Sequence, residues 1–273
     1  MAEKQVLLVN DLAGYGKVAL SVMIPVLSHM GVNVHNLPTA IASNTLDYGK
    51  FQILDTTDYM KNTLAVWDAL GFSFDAVATG FIVNKEQAEL VAAYCKQQQA
   101  RGVAVLCDPI MGDDGHLYPG MNEETVENLR GLAACADYVL PNYTEAALLT
   151  GHPYQENPSA EEIDGIVQDL RALGAKSVII TSVVQDGVHQ VCGYDHRNDR
   201  RFALPFSEIP VRFPGTGDIF SAVLLGGILK NEALEDSVAR AMRTVRAMIA
   251  RNLENPDKFR GINIESCLEE IDA

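Results

Sequence analysis

The sequence predicts an α/β fold: a doubly wound, mostly parallel sheet with helices on both faces. Short continuous apolar runs have the composition of strands that are buried on both faces. These runs lie at residues 6–9, 75–79, 103–107 and 177–182. Segments with helical apolar spacing alternate with them. The turn dipeptide Asp186-Gly187 lies between two β-like runs and predicts an antiparallel extension near residues 183–212.

The first half of the chain follows this alternation. The first strand ends at Asn10 and Asp11, and the helical pattern that follows covers residues 18–30. Residues 32–37 predict a second strand, residues 39–56 have no regular pattern, and residues 57–70 predict a helix. Asn84 and Gln87 have the spacing of a capping pair for a helix that runs to Arg101.

The second half repeats the pattern. The strand at residues 103–107 ends at Asp108, a loop follows, and residues 122–136 predict a helix. Residues 138–140 predict a short strand, and Ser159 with Glu162 forms a capping box for a helix that ends at Gly174. Helices are expected again from Asp218 to the end. Because no repeat, low-complexity segment or linker interrupts the pattern, we expect a single domain over residues 1–273.

Composition limits the classes of partner. The 273 residues are 48% hydrophobic, and the formal net charge is −15. A nucleic acid or an anionic membrane needs clustered Lys and Arg, so neither is an expected partner. No signal peptide and no run of roughly 20 apolar residues is found, which favours a cytoplasmic protein. The five cysteines are scattered and form no C-x-x-C pair, which indicates reduced and mostly buried thiols.

The most specific motif is Phe213-Pro214-Gly215-Thr216-Gly217-Asp218, which an apolar helical run follows directly. Two glycines and a threonine leave three consecutive backbone N–H groups almost uncovered at a helix start, which is typical of a site for a phosphate. The Asp218 carboxylate cannot bind an anion, so it predicts a general base beside a phosphoryl group in transfer. We therefore interpret the chain as a kinase of a small molecule, with catalytic residues Gly215, Thr216, Gly217 and Asp218.

Polar residues follow several predicted strands. They are Asp11, Asp108, Asn142, Thr181 and Ser182. In an open parallel sheet the ligand binds beyond the carboxyl ends of the strands, although each such residue can also be an N-cap or a turn residue. Asn142 and Glu145 lie three apart at a predicted helix start, so Glu145 is either an early-turn acid or a second acid near Mg²⁺. Mg²⁺ takes one or two carboxylates together with phosphates and waters.

The segment Gly14-Tyr15-Gly16-Lys17-Val18-Ala19 matches G-x-G-x-x-A, a pattern of dinucleotide sites. Two features disfavour a dehydrogenase. The second strand has no acid at its end, and Gly14 lies several residues beyond the first strand. The segment is not a P-loop either, since Val18 stands where Ser or Thr is required. No zinc-hydrolase or serine-esterase motif occurs.

The chain resembles the ribokinase superfamily and, within it, the pyridoxal kinase branch. The resemblance covers nearly the whole chain and rests on a few segments. They are residues 42–44, 48–51, 107–113, 140–145, 180–182 and 215–218. It implies phosphorylation by ATP of the hydroxymethyl group of a vitamin B6 vitamer (pyridoxal, pyridoxamine or pyridoxine) to its 5′-phosphate, in vitamin B6 salvage. It also implies a homodimer without the large β-lid of the sugar kinases.

The resemblance implies roles for individual residues. Asp218 would be the base, and residues 215–217 the anion hole. Asp108 and Glu145 would hold Mg²⁺, directly or through water. The residues implied to bind the ATP are Asp108, Asp113, Tyr118, Asn142, Glu145, Thr181, Ser182 and Phe213. Those implied to bind the substrate are Asp11, Val18, Ser43, Asn44, Thr45, Leu46 and Phe81.

The substrate residues depart from the family pattern. Pyridoxal kinases usually carry Ser at Asp11, Thr at Leu46 and Tyr at Phe81, whereas hydroxymethylpyrimidine kinases often carry Asp at the position of Asp11. Our hypothesis is that Asp11 pairs with a cationic or amino-bearing ring, which favours pyridoxamine or an aminopyrimidine over pyridoxal. A hydroxymethylpyrimidine kinase of thiamine synthesis, another small-molecule alcohol kinase of the superfamily, and a non-catalytic ligand sensor are the alternatives.

Overall fold

The computed structural model describes residues 3–272 of the chain. Within them the strands are β1 (Gln5–Ala13), β2 (Asn33–Ala42), β3 (Ile53–Asp55), β4 (Ala76–Thr79), β5 (Ala104–Cys107), β6 (Gly112–Asp113), β7 (His116–Leu117), β8 (Tyr138–Val139), β9 (Ser177–Gln185), β10 (Val188–Asp195) and β11 (Arg200–Phe206). The helices are α1 (Leu20–His29), α2 (Thr57–Leu70), α3 (Lys85–Ala100), α4 (Glu123–Ala133), α5 (Tyr143–Thr150), α6 (Ala160–Leu173), α7 (Thr216–Leu229) and α8 (Leu234–Arg251).

The chain divides into two compact units. Unit 1 comprises the residues up to Ala78 together with those from Glu208 onward, and unit 2 comprises Thr79–Ser207. The α/β class that the sequence predicts is confirmed, with mostly parallel strands and flanking helices. The single domain over residues 1–273 stays a prediction.

In unit 1, β1 pairs in parallel with β2, and β3 pairs with β2 in the antiparallel direction. The β1–β2 register shifts between Asn10 and Leu12, which places an irregularity at Asp11. Such bulges bend a strand and redirect its side chains, and they are frequent next to active sites.

Helix α7 is the centre of the unit 1 core. It packs against α1 and α8, and every residue from Asp218 to Leu229 is buried. A helix that is apolar on all sides has to be enclosed by other elements, so α7 is held firmly from its first turn. That first turn carries the predicted base.

In unit 2, β5, β8 and β9 run parallel, and β9, β10 and β11 form an antiparallel meander. The predicted antiparallel extension is therefore confirmed. Its hairpin turns at Asp186 (φ 50°) and Gly187 (φ 75°), the two positive φ values that a two-residue hairpin requires. The predicted cap of Asn84 on the Gln87 N–H and the capping box of Ser159 with Glu162 are both present.

Five local predictions are wrong. Strand β1 continues to Ala13, so Gly14 follows it directly. Strand β2 continues through residues 39–42, and β3 forms within the segment predicted to be irregular, because β3 pairs with β2 along its edge. The loop predicted after Asp108 contains the β6–β7 hairpin, whose turn Asp114-Gly115 also has two positive φ values. Helix α1 begins two residues late because Ala19 has φ 49°. Beyond α8, the described chain forms 3₁₀ turns in place of helix.

The described residues bear on two further expectations. All five cysteines are free and buried, and burial raises the pKa of the Cys95 thiol to about 12. This agrees with reduced, inert thiols. Among residues 3–272, no helix combines the length and the apolar character that crossing a membrane requires.

Candidate active site

The start of α7 is an open helix N-terminus. Gly215 is its N-cap residue, with φ 85°, and a Cβ there would lie 2.3 Å from the carbonyl oxygen of Lys17. Glycine is therefore required by both conformation and space. At Gly217 a Cβ would meet no atom within 4 Å, so the first turn of α7 faces open space. The first N–H groups of a helix have no partner within it, and their positive end suits a phosphate.

Asp218 lies in that first turn and is only 9% exposed. Its Oδ2 accepts a hydrogen bond from the Ala19 N–H at 2.8 Å, and its Oδ1 accepts one from Asn10 Nδ2 at 3.3 Å. Burial raises the pKa of Asp218 to about 6, and the two hydrogen bonds limit the rise. At neutral pH the group is a carboxylate with a basicity close to the working pH, which is what a general base needs.

Asp11 is a second acid beside Asp218. It lies near the carboxyl end of β1, at the register shift, and its own N–H donates to Asn10 Oδ1 at 3.0 Å. Burial and then the charge of Asp218 raise the pKa of Asp11 to about 7. The side chain keeps part of its surface exposed. Among residues 3–272 it forms no ion pair, so a cation that binds beside it would relieve the unfavourable burial of its charge.

Asn10 and Ala19 hold Asp218 in place, and neither was a predicted site residue. Asn10 is buried, and its amide bridges the Asp11 backbone and the Asp218 side chain. Ala19 has φ 49° and ψ −129°, a conformation that favours glycine. Strained backbone of this kind is frequent at functional sites. Both contacts span about 200 positions of the chain, so only the fold reveals them.

The predicted substrate residues at positions 43–45 lie against the Gly-rich segment that precedes α1. The Tyr15 N–H donates to the Ser43 carbonyl at 3.0 Å, and the Thr45 N–H donates to the Tyr15 carbonyl at 2.9 Å. Thr45 is buried, and its hydroxyl donates to the Phe259 carbonyl at 2.7 Å. These bonds give the segment a fixed shape. The structure thus brings the residues at positions 43–45 to the same part of unit 1 as the residues that follow β1.

The other predicted residues of unit 1 differ in accessibility. Leu46 begins a 3₁₀ turn and is 44% exposed, and Val18 is half-buried next to Ala19. Phe213 is buried, its carbonyl accepts from the Thr216 hydroxyl at 3.3 Å, and the Lys258 ammonium lies 5.7 Å from its ring centre. Phe213 therefore supports the turn before α7, and its contact with a nucleotide stays a prediction.

Glu145 is the central acid of unit 2. It is buried and forms a capping box with Asn142, in which the Glu145 N–H donates to Asn142 Oδ1 and the Asn142 N–H donates to Glu145 Oε2, both at 2.9 Å. Its Oε1 accepts the Met111 N–H at 3.0 Å and the Gly112 N–H at 3.5 Å. Burial and then the charge of Asp108 hold the pKa of Glu145 well above its usual range. Glu145 is thus an early-turn acid that caps α5, and its role near Mg²⁺ stays a prediction.

Asp108 follows β5 and is half-buried, and its N–H donates to the Thr79 carbonyl at 2.9 Å. Among residues 3–272 no group of three or more His, Cys, Asp or Glu side chains is close enough to hold a metal ion. Asp108 and Glu145 are the residues predicted to hold the metal ion. Two carboxylates fit Mg²⁺, which completes its shell with phosphates and waters, and a divalent cation would offset the Asp108 charge that raises the pKa of Glu145.

Several predicted nucleotide residues of unit 2 lie on segments that hydrogen bonds join to one another. Asn142 follows β8, forms a bridge with Thr181 in β9, and donates from Nδ2 to the Gly112 carbonyl at 2.7 Å. Asp113 lies in β6 next to Gly112, and Tyr118 follows β7 with its N–H on the Met111 carbonyl at 2.9 Å. Ser182 is exposed and has φ 58°. Phe81 follows β4 and is half-buried.

A family model described as phosphomethylpyrimidine kinase matches residues 24–263 of the chain. This chain belongs to the phosphomethylpyrimidine kinase family. The resemblance to ribokinase-like kinases of the pyridoxal kinase branch is confirmed, and so is a phosphotransferase with an alcohol group as acceptor.

The relatives to which this chain is similar include pyridoxal kinases. The chain is 33% identical to a pyridoxal kinase from Arabidopsis thaliana over 55% of its own length and 49% of the relative's, so it spans about half of that protein. It is 27% identical to a pyridoxal kinase from Paraburkholderia xenovorans, with 90% and 87% covered.

A candidate phosphomethylpyrimidine kinase from Bacteroides thetaiotaomicron, solved with pyridoxal, superposes with a TM-score of 0.94. It is 34% identical, with 99% of this chain and 96% of that chain covered. The chain is therefore similar to the Bacteroides thetaiotaomicron protein in both sequence and fold over almost its whole length. The individual residue roles remain predictions that rest on the geometry described above.

Proposed function

We propose that this protein transfers the γ-phosphoryl group of ATP to the hydroxymethyl group of a vitamin B6 vitamer, forming the 5′-phosphate. The observation that carries the proposal is the first turn of α7, where a buried carboxylate with a pKa near 6 lies at an open, glycine-lined helix start. A base and an anion site in one turn are what phosphoryl transfer to an alcohol needs. A non-catalytic sensor would have no use for Asp218.

The proposed chemistry of unit 1 follows from its residues. The substrate CH₂OH gives its proton to the Asp218 carboxylate as its oxygen attacks the γ-phosphorus, and the bond between this phosphorus and the bridging oxygen of ADP breaks. The N–H groups at Gly215, Thr216 and Gly217 stabilise the negative charge on the phosphoryl oxygens. Asn10 and Ala19 keep Asp218 in position and, through their hydrogen bonds, keep enough of it ionised to act near neutral pH.

In unit 2 we assign the ATP and its metal ion to the edge that carries Asp108, Asn142 and Glu145. Asp108 and Glu145 would hold Mg²⁺, Glu145 through water because its oxygens already accept three backbone N–H groups. When bound, Mg²⁺ neutralises phosphate charge. Asp113, Tyr118, Thr181 and Ser182 are proposed to surround the nucleotide phosphates at the same edge.

Asp11 supports a particular class of acceptor. Asp11 is partly exposed, lies next to a second acid and has no cationic partner among residues 3–272, which favours a substrate that brings a positive charge or an amino group. Pyridoxamine carries both a ring and an ammonium group, so we expect it to be preferred to pyridoxal. The side chains of Leu46 and Phe81 have no polar atom. We therefore expect the polar groups of the substrate ring to bind Asp11, Ser43 and Asn44.

A hydroxymethylpyrimidine kinase is the second candidate. The family match and Asp11 both favour it, because an aminopyrimidine also presents a donor to a carboxylate. The base, the anion site and the metal residues would act in the same way, and only the ring bound near Asp11 would differ.

A coupled ADP-release assay decides between these substrates. It compares pyridoxamine, pyridoxal, pyridoxine, hydroxymethylpyrimidine and ribose as acceptors. We expect kcat/KM to be highest for pyridoxamine and close to background for ribose. Turnover of hydroxymethylpyrimidine alone would replace the vitamer proposal by the second candidate, and turnover of none would contradict both. The variant Asp11→Ser tests the ring contact, since it should reduce the preference for pyridoxamine over pyridoxal.

The setting of the enzyme is also part of the proposal. We propose a cytoplasmic enzyme of vitamin B6 salvage that acts as a homodimer. The buried, free thiols suit a reducing compartment. Exposed apolar side chains along β2 and β3, at Ile41 and Leu54, favour self-association at this part of unit 1. Light scattering after size exclusion should give twice the chain mass, and Leu54→Glu should reduce it to the mass of one chain.

A further inference from the structure

A polar cleft of about 270 Å³ lies in unit 2, at the amino ends of β5, β8 and β9. The predicted nucleotide and metal residues Asp108 and Asn142 of unit 2 follow the carboxyl ends of β5 and β8. Ala104 lines the cleft and Asp108 follows β5, four residues further along, which in an extended strand is about 13 Å. The cleft is therefore separate from the edge that carries Asp108. Its lining comprises Gln99, Gly102, Val103, Ala104, Asp137, Tyr138, Lys176, Ser177, His196 and Arg197.

Positive and hydrogen-bond-donating groups dominate this cleft, in a chain whose net charge is −15. Lys176, His196 and Arg197 line it, and the one acid is Asp137. Both Asp137 oxygens are already used, Oδ1 by the Lys176 ammonium at 2.6 Å and Oδ2 by the Val105 N–H at 2.8 Å. The Lys176 ammonium keeps two protons to donate.

The His196 and Arg197 side chains are exposed at the cleft. Within residues 3–272, the His196 imidazole and the Arg197 guanidinium form no hydrogen bond or ion pair, although the Arg197 charge acts on Tyr138. Their segment is nevertheless held in place, because the His196 N–H donates to the Ser177 hydroxyl at 3.1 Å and the Arg197 N–H donates to Asp195 Oδ1 at 2.9 Å. Two donors are thus presented to the cleft from a fixed turn.

Tyr138 adds a further donor to the cleft. Its side chain is only 6% exposed and lies in the cleft lining. The hydroxyl is reachable by solvent and forms no hydrogen bond with residues 3–272, so a ligand in the cleft can bind to it without displacing a protein group.

We propose that this cleft binds the phosphate group of a small phosphate monoester. Lys176 and Arg197 supply the charge for a dianion, and Arg197 offers the planar pair of donors that matches phosphate oxygens. Tyr138 and His196 supply further donors. The volume lies just below the usual range for sites of drug-sized ligands, which suits a small ester in preference to a nucleoside triphosphate.

Backbone amide NMR of the full chain tests the site without relying on activity. The probes are glycerol phosphate and inorganic phosphate at constant ionic strength. We expect saturable shifts at the amides of Ala104, Tyr138, Ser177 and Arg197, with tighter binding of glycerol phosphate. Absence of saturable shifts there would overturn the proposal, and equal or weaker binding of the ester would overturn its assignment to a monoester.

Variants separate recognition from damage to the fold. Tyr138→Phe removes only the hydroxyl and should weaken binding about fivefold, and the pair Lys176→Ala and Arg197→Ala should weaken it by about 100-fold. The pair Lys85→Ala and Arg243→Ala changes the net charge equally at exposed positions outside the cleft and should leave the affinity within about twofold. Equal losses in the two double variants would show non-specific attraction and contradict the proposal.

Discussion

Asp218 and Glu145 occupy the same position in two helices but meet different surroundings. Each is the third residue of its helix, each is buried, and burial raises the pKa of each. The helix that carries Glu145 has Asn142 as its N-cap, whose side chain accepts the Glu145 N–H. The helix that carries Asp218 has Gly215 as its N-cap, without a side chain. The capping residue thus decides whether a helix start is closed by the protein or open to a ligand.

The Glu145 carboxylate also accepts more hydrogen bonds from the protein than the Asp218 carboxylate does. Glu145 accepts three backbone N–H groups from its own turn and from Met111 and Gly112. Asp218 accepts two donors, from Asn10 and Ala19. We interpret the first as an acid that holds structure together and the second as an acid that remains able to accept a proton.

Asp218→Ala should have the largest effect on catalysis. Loss of the base should lower kcat about 100-fold or more, because a positioned general base contributes roughly two to four orders of magnitude. The Tm of the apo protein should change little, because relief of the buried charge offsets the loss of the acceptor for the Ala19 N–H and the Asn10 amide. Steady-state kinetics and calorimetry measure the two effects. Turnover near that of the wild type would show that Asp218 is not the general base.

Glu145→Ala should have the larger effect on stability. It leaves the N–H groups of Met111, Gly112 and Asn142 without their buried acceptor, so the free energy of unfolding should fall by about 3 kcal/mol. Denaturant unfolding of the apo protein, without nucleotide or metal, measures this. An apo stability equal to that of the wild type would show that Glu145 has no structural role.

Gly217→Ala tests whether the open helix start binds phosphate. The added methyl group meets no protein atom within 4 Å, so the Tm should not fall. It would cover part of the uncapped N–H surface, and we expect kcat/KM for ATP to fall about tenfold. Gly131→Ala is the matched control, since this helical glycine also has open space around it. Equal kinetics in the two variants would contradict an anion site at α7.

Asp11→Asn should change how stability depends on pH. In the folded wild type, Asp11 ionises near pH 7, whereas in the unfolded chain it ionises near its ordinary value of 3.8. The folded state therefore retains a proton that the unfolded state has lost, and stability falls as pH rises through this window. The variant has no carboxyl at this position, so its stability does not fall in this way. The difference in Tm, variant minus wild type, should therefore be larger at about pH 8 than at about pH 5. A constant difference in Tm would contradict the raised pKa.

Much of the fold follows from the sequence, because buried parallel strands and capped helices have strong local patterns. The Asn142 and Glu145 pair and the Gly215 turn are local features of this kind. The β6–β7 hairpin was not predicted, although its Asp114-Gly115 turn is the same dipeptide that predicts the Asp186-Gly187 hairpin. Strand β3 could not be predicted, since three residues are too few to show an alternation of apolar and polar residues.

The supports of the site are less predictable than its motif. Asn10 and Ala19 contact Asp218 across 208 and 199 positions, and nothing in their local sequence indicates this. The positive φ of Ala19 is unexpected for a residue with a side chain. Tyr138 likewise has the pattern of a core strand residue, and only the structure shows that it lines a cleft.

The ratio of wild-type to Asp218→Asn activity, measured across pH, tests most directly whether Asp218 is the base. Taking the ratio of kcat/KM values removes the ionisation of ATP and of the substrate, which both enzymes share. If Asp218 must be ionised, the ratio should be constant above about pH 7 and fall about tenfold per unit below its pKa of about 6. A ratio that stays constant from about pH 8 to about pH 5 would show that Asp218 does not act as the base.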